Sequence, residues 1–300
     1  MQLRQDLQRI NRNAHVDTLH PNALDWPERI EQDELDFVSR IAFDEVGRER
    51  EAIVYITKEL SQLAEIERHV SAVMTYILAE LQASDAPISK GFELHDALSC
   101  FAAEELHHAN MFYRYIRLLS GRDFKYPDNL FTARVGLYQG DDSPYVKLAA
   151  LCCSAYIGES VITVFERRAK ALDPEMRFFL TRLVHAHGLD EARHIQTDHF
   201  VFDHVIPTLN PVEMRRMRQI LESTEALNTE LAMRFEAFAK EEFGVNYTDG
   251  NRGHSTQIAL SLKFRELVFG GAIIRKVDDA LSDDDRMLIE QFSHSRSIHV

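Results

Sequence analysis

His185-Ala186-His187-Gly188-Leu189-Asp190-Glu191-Ala192-Arg193-His194 decides how the rest of the chain is read. On a helix of about 3.6 residues per turn, Glu191 and His194 are three apart and His187 is four before Glu191. One carboxylate and two imidazoles therefore share a stripe. The residues opposite are apolar or small, so the stripe faces inward. An ionised Glu on an inward face is costly unless a cation or hydrogen bonds compensate it, and a metal ion is the economical compensation.

Outward from this stretch the pattern is helical almost throughout. The helix that carries it is expected to open at Asp173-Pro174-Glu175 and end near Pro207. Before it, Ser143-Pro144 opens a helix to about Leu172, with Leu148, Leu151, Cys152, Ala155, Glu159 and Ile162 inward. Earlier still, helices are expected over 48–82, with Leu60, Leu63, Val70, Met74 and Ile77 in register, and over 89–120, stopped by Gly121. Leu35, Val38, Ile41 and Ala42 mark one more helix before these. Residues 121–143 form a connection long enough to cross a bundle. After the central stretch, Asn210-Pro211 with Glu213 starts a helix to about Phe243, and a loop runs from 244 to 253. An additional C-terminal helix follows over 256–280, apolar at Ile258, Leu262, Leu267 and Ile273. Residues 1–28, with Pro21 and Pro27 flanking Trp26, read as an irregular N-terminal arm laid over the body. No period-2 run and no internal repeat is evident. The expected class is all-α, one domain over 1–300, a helical bundle with flanking helices.

Composition narrows the function. Hydrophobic residues make up 45% of the chain, ample for a sizeable core. A net charge of −14 argues against nucleic acid. The longest small-and-apolar run, 148–158, is about half of a membrane span, so no membrane partner is expected. Three Cys, two of them adjacent, give neither a disulfide framework nor a Cys-x-x-Cys metal pattern, which fits a reduced, cytoplasmic setting. The N-terminus has no apolar signal core. His294 and His299 fall in a polar tail and read as solvated.

Four successive long helices carry Glu67, then Glu105 and His108, then Glu159, then Glu191 and His194. Ferritin-like di-iron and di-manganese bundles follow that order: Glu, Glu-x-x-His, Glu, Glu-x-x-His, all inward. Carboxylates bridge two cations and offset their charge, and imidazole suits iron better than magnesium or calcium. Chance alone supplies about one Glu-x-x-His in a chain of this composition, so the motif by itself is weak. Placement on apolar stripes carries the weight. Within Glu104-Glu105-Leu106-His107-His108 the rival pair is Glu104/His107; Glu105/His108 is preferred because it lines up with Leu98, Phe101, Phe112 and Ile116. Glu104 and Asp190, each preceding a ligand Glu, are candidates to hold His rings from outside, or else surface acids. Glu159 is preferred to Glu166 for its central position beside Gly158, and Glu67 to Glu59 and Glu65 for its helical face. His187 is read as a further ligand. Gly188 beside it, costing about 1 kcal/mol against Ala, marks a π-bulge or a close approach to the backbone. His185, His199 and His204 are read as structural or exposed, and Arg114, Arg134 and Arg193 as surface salt-bridging groups rather than partners of a substrate carboxylate.

At these residues the chain resembles the AurF-type p-aminobenzoate N-oxygenases, whose mark is an additional His one turn before the last Glu-x-x-His. His187-x-x-x-Glu191-x-x-His194 matches that mark. The resemblance covers roughly residues 30–245. It implies a ferritin-like di-iron fold and ligand roles for Glu67, Glu105, His108, Glu159, His187, Glu191 and His194. It also implies two Fe ions, O2 as co-substrate, and oxidation of an aromatic amine through a peroxo di-iron species. No flavin or nicotinamide fingerprint appears, so an external electron donor is expected, and a homodimer is the guess from the fold. Three readings follow: a monooxygenase acting on an amine or another small organic molecule; a ferroxidase or manganese catalase; and a non-catalytic helical interaction protein. Phe101, Phe112, Gly158 and Gly188 around the site favour the first, because bulky and small residues together suit a substrate pocket. Ligand type alone admits iron or manganese.

Overall fold

The computed structural model describes residues 2–12, 14, 18–84, 88 and 90–270. Among these residues every regular element is helical: α1 (Gln2–Asn11), α2 (Gln32–Phe43), α3 (Glu49–Leu81), α4 (Phe92–Ser120), α5 (Phe131–Gly136), α6 (Pro144–Leu172), α7 (Phe179–His204), α8 (Pro211–Phe243) and α9 (Arg252–Phe269). α3 packs along α4 and α6 along α7. The two pairs meet where α3 touches α6 and α4 touches α7. α8 lies against α3 and α6, α9 against α6 and α2, and α1 against α4 and α7. The apolar interior falls into two clusters along this bundle. One holds Leu60, Ala64, Phe112, Ile116, Ile162 and Leu183; the other holds Val70, Met74, Leu98, Phe101, Leu151 and Val201. On each central helix the change from one cluster to the other falls at the candidate ligands, so these form a polar layer between two hydrophobic cores.

Most helix ends follow local chemistry. Gly121 and Gly244 close α4 and α8 at φ 69° and 62°, left-handed conformations that glycine adopts without a Cβ penalty. The Asn210 side chain accepts from the Val212 and Glu213 amides while Glu213 accepts from the Asn210 amide, a capping box. α7 departs from expectation. Asp173 does not cap a helix at Pro174. Its carboxylate accepts the Arg177 and Phe178 amides at 3.0 and 2.9 Å and holds a loop. The helix begins at Phe179, where Glu34 of α2 accepts the Phe179 and Leu180 amides at 2.7 and 2.8 Å. A cap supplied from so far along the chain leaves no local signature.

Three other expectations are corrected. The arm is not irregular throughout: 2–11 form α1, because Leu3, Leu7 and Ile10 share a helical face and bury Leu7 and Ile10. The connection between α4 and α6 contains α5, whose Arg134 is fully buried and donates to the Glu65 carbonyl at 2.9 Å. α9 starts at Arg252, where Asn251 accepts the His254 amide, rather than at Thr256. The expected stretch 271–280 with Ile273, and the tail with His294 and His299, lie outside the described residues, as do part of the break at 85–87 and the expected start of α4 at Ser89. α6 as a whole is long and apolar enough to cross a membrane, more so than its short apolar run suggests, but 83% of its apolar window is buried inside the bundle.

Candidate metal centre

Four helices deliver the candidate ligands to one layer. Glu67 comes from α3, Glu105 and His108 from α4, Glu159 from α6, and His187, Glu191 and His194 from α7; all are buried. Six of them form two overlapping tetrads. Glu67, His108, His187 and Glu191 offer ligand atoms within 4.8 Å of one another, and so do Glu105, His108, Glu191 and His194. Glu191 is the hinge between the tetrads. Its Oε1 lies 2.8 Å from His187 Nε2 and 3.3 Å from His108 Nδ1, while its Oε2 lies 3.1 Å from His194 Nδ1. Glu159 joins neither tetrad.

The two Glu-x-x-His rings are held from outside, crosswise between helices. His108 of α4 places Nε2 3.1 Å from Asp190 of α7, and His194 of α7 places Nε2 3.0 Å from Glu104 of α4. A carboxylate only accepts, so Nε2–H donates outward, and Nδ1 of each ring faces inward, donating to the inner carboxylates while the ring is protonated and offering its lone pair to a metal once that proton is displaced. Arg193 donates to both Glu104 and Asp190 and ties the two outer acids together. Thr18 adds a hydrogen bond to Glu104 at 2.7 Å, and the Leu19 amide one to Asp190 at 3.3 Å. Phe101 stacks on His194 with ring centroids 3.8 Å apart. His187 is held differently. Its Nε2 points inward, 3.3 Å from Glu67, and its Nδ1 has no partner; packing against Phe112 and the edge of His108 fixes the ring.

Protonation shows the charge imbalance of this layer. Burial pushes Glu105 well above the ordinary carboxylate range, helped by the charge of Glu67. Glu159 is likewise raised, first by burial and then by the charges of Asp198 and Glu191. Burial also raises Asp198, to about 7. Burial works against the charged forms of the others, but partners win. The charges of His187 and His194 hold Glu191 low, Glu105, His108 and His187 hold Glu67 to about 2, and His194, Thr18 and Arg193 hold Glu104 to about 2. His194 rises to about 9 on the strength of Glu191 and Glu104. There are more buried acids here than the rings and Arg193 can neutralise. Glu159 and Asp198 hydrogen-bond each other and Cys152 reaches Asp198, but no amide, hydroxyl or cation donates to either acid. Two buried acids set against each other without a compensating cation are expensive, and multivalent cations are the group that would satisfy them. This mixed carboxylate and imidazole set fits a pair of transition-metal ions.

The alternatives find other partners. Glu59 pairs with Lys58; Glu65 accepts from Tyr113, Asn129 and Arg68; Glu166 meets His185 at 2.9 Å. Glu104 takes the outer role and His107 packs edge-on against His20. The close approach at Gly188 is made by Glu166. A Cβ there would lie 2.1 Å from its carboxylate, and α7 runs through as α-helix with no π-bulge. His204 pairs with Asp6, while Arg114 lies over the Trp26 ring. Arg134 and Arg193 are not surface groups. Two contributors were missed. Asp198 falls four residues after His194, so extending the same stripe by one turn finds it. Thr18 arrives from the irregular part of the arm, where no periodicity points to it.

Comparison with curated proteins and with solved structures gives no match. The sequence model of the family described as P-aminobenzoate N-oxygenase AurF matches residues 66–251. That span runs from just before Glu67 to the loop preceding α9 and takes in every candidate ligand. With its helical bundle and its paired Glu/His tetrads, the chain belongs to the AurF N-oxygenase family, a family of ferritin-like enzymes.

Proposed function

We propose that this protein is an O2-activating, non-haem di-iron oxygenase that oxidises the nitrogen of a small, aromatic amine. The observation that carries the reading is the pair of buried tetrads sharing His108 and Glu191, in a chain of this family. Bound iron would supply the activation of O2, the source of the oxygen atom transferred, the other atom leaving as water with the donor's electrons. Glu67, His187 and Glu191 would hold one ion with His108, and Glu105, Glu191 and His194 the other, with Glu159 completing the set from α6. Asp190 and Glu104 keep His108 and His194 in the tautomer that presents Nδ1 inward. Phe101 and Phe112 close the layer from the two cores and exclude water. Electrons come from a separate donor.

The test is reconstitution. Protein loaded with ferrous iron without oxygen should retain about two irons per chain, and on exposure to O2 with an arylamine and a reductant should release the hydroxylamine, read by mass spectrometry. Stoichiometric iron with ferric accumulation and no change in the amine would move the assignment to iron handling. Failure to retain iron would sink it.

A further inference from the structure

A cavity of about 220 Å3 lies between α3, α6, α8 and α9. Its inner wall includes Leu63 and Ile66 of α3 and Gly158 and Ile162 of α6. Leu63 lies one turn before Glu67 and Ile162 one turn after Glu159, so the cavity borders the α3–α6 side of the metal layer, with no candidate ligand in its own wall. Its outer rim is formed by Ile258 and Leu262 of α9, 48% and 58% exposed. α9 follows the span that the family model matches, so part of this wall lies outside that span.

The wall is mostly apolar and its charges are spent. The two cations that line it are Lys58, paired with Glu59 at 2.9 Å, and Arg265, paired with Glu225 at 3.0 Å. Ser154 and Asn228 donate to the same Glu225. Gln62 also lines it, and its buried side-chain oxygen has no hydrogen-bond partner. Gln62 lies five residues before Glu67, about 7.5 Å along the helix axis, a span that one substituted aromatic ring can bridge. An amide can hydrogen-bond a ligand but cannot neutralise an ion. An apolar cavity of about 150 Å3 takes benzene, so this volume admits one substituted ring.

We infer that this cavity is the organic-substrate pocket of the centre, and that it selects a neutral single-ring amine whose far substituent is apolar or a neutral group meeting Gln62, and rejects a carboxylate. The assignment rests on the oxygenase reading for its chemistry but not for its binding. An anion brought here would lie on an apolar wall whose two cations are already engaged, and it would have to break an ion pair to be compensated.

The experiment is calorimetric titration of the full chain, iron-loaded under anaerobic conditions and metal-free in parallel, with 4-methylaniline, 4-aminobenzyl alcohol and 4-aminobenzoate. The neutral amines should bind at least about tenfold more tightly than the benzoate. Gly158→Leu, at a position where an added Cβ meets nothing within 4 Å, should fill the cavity and abolish binding while iron content is kept. Gln62→Leu should weaken the alcohol more than 4-methylaniline. Should Gly158→Leu fail to fold, Leu262→Trp at the exposed rim serves as the second blocking variant. Equal or tighter binding of 4-aminobenzoate overturns the selectivity, and unchanged binding in the blocking variants overturns the pocket. Binding with this selectivity in a protein that never retains iron would remove the oxygenase reading and leave the pocket standing.

Discussion

Where α4 meets α7, His108 and His194 are each gripped at both ring nitrogens, with inner carboxylates on one side and Asp190 or Glu104 on the other. Where α6 meets α7, Glu159 and Asp198 are also buried, but they have only each other and the Cys152 thiol, with no amide, hydroxyl or cation donating to them. The first side is assembled by the protein alone, since its donors and acceptors satisfy one another. The second side sets acid against acid with no compensating cation, and Glu159 is driven toward its neutral form by burial and by Asp198 and Glu191. One half of the site is thus preorganised, and the other half depends on what binds.

Removing one residue from each side should separate these roles most sharply. Glu191→Ala takes away the carboxylate common to both tetrads and leaves three rings without their shared acceptor. It should reduce iron from about two per chain to nearly none and lower the melting temperature of the metal-free protein. Glu159→Gln replaces a buried carboxyl set against another acid, Asp198, with an amide that can donate to it. It should raise the metal-free melting temperature while weakening retention of one ion. Iron analysis and calorimetry on the two variants check this. If Glu159→Gln destabilises the metal-free chain as Glu191→Ala does, the two sides are not built differently.

The pH dependence follows from the same asymmetry. Burial raises Glu105 and Glu159, and it raises Asp198 to about 7. An acid raised in this way keeps a proton that the unfolded chain releases near pH ~4, so stability is lost as pH climbs from there through the folded value. Burial opposes the charged form of His194, but Glu191 and Glu104 raise it to about 9. Its contribution is complete below the unfolded value of about 6.5 and is lost as pH rises through about 9. Glu104 has the opposite sign. Burial opposes its ionisation, yet His194, Thr18 and Arg193 hold it to about 2, so its stabilisation stands above about pH 4.5 and fades only as pH falls toward 2. The chelated protein should therefore be most stable near about pH 5 and lose stability toward about pH 9. Metal binding displaces the same protons, so the loaded protein should gain stability over that interval. Melting curves with and without chelator would show slopes of opposite sign; parallel slopes would mean that no metal enters this cluster.

How far the sequence could be read has a physical limit visible in particular residues. Helices α3, α4, α6, α7 and α8 follow from apolar periodicity, and the C-terminal stop of α4 and the N-termini of α6 and α8 from Gly121, Ser143 and Asn210 beside them. The choices of Glu105 over Glu104 and of Glu159 over Glu166 rest on helical face, and the structure places the rejected acids on other partners. What local pattern cannot carry is contact between distant segments. Glu34 capping α7, Thr18 reaching Glu104, and Glu104 and Asp190 crossing to each other's histidine all join residues that sequence spacing leaves unrelated. α1 was lost for another reason: with few apolar positions in ten residues, its periodicity is too short to outweigh its polarity.

Two smaller perturbations test the preorganised side. Asp190→Asn keeps the shape but turns an obligate acceptor into a group that can also donate. The tautomer of His108 is then no longer fixed, and iron affinity should fall about 10- to 100-fold, measured by competition with a chelator. Gly188→Ala asks whether the glycine serves the metal layer or only its neighbour. The new Cβ would lie 2.1 Å from a Glu166 oxygen, but that oxygen ends a flexible side chain that can rotate away from His185. Ala gains back about 1 kcal/mol of helix propensity over Gly. The two effects oppose each other, so stability should change by less than about 1 kcal/mol, and iron content should be unchanged. Loss of iron in this variant would put Gly188 at the metal layer after all. A neutral outcome would set the boundary of the preorganised side at His187, whose outer nitrogen no carboxylate reaches.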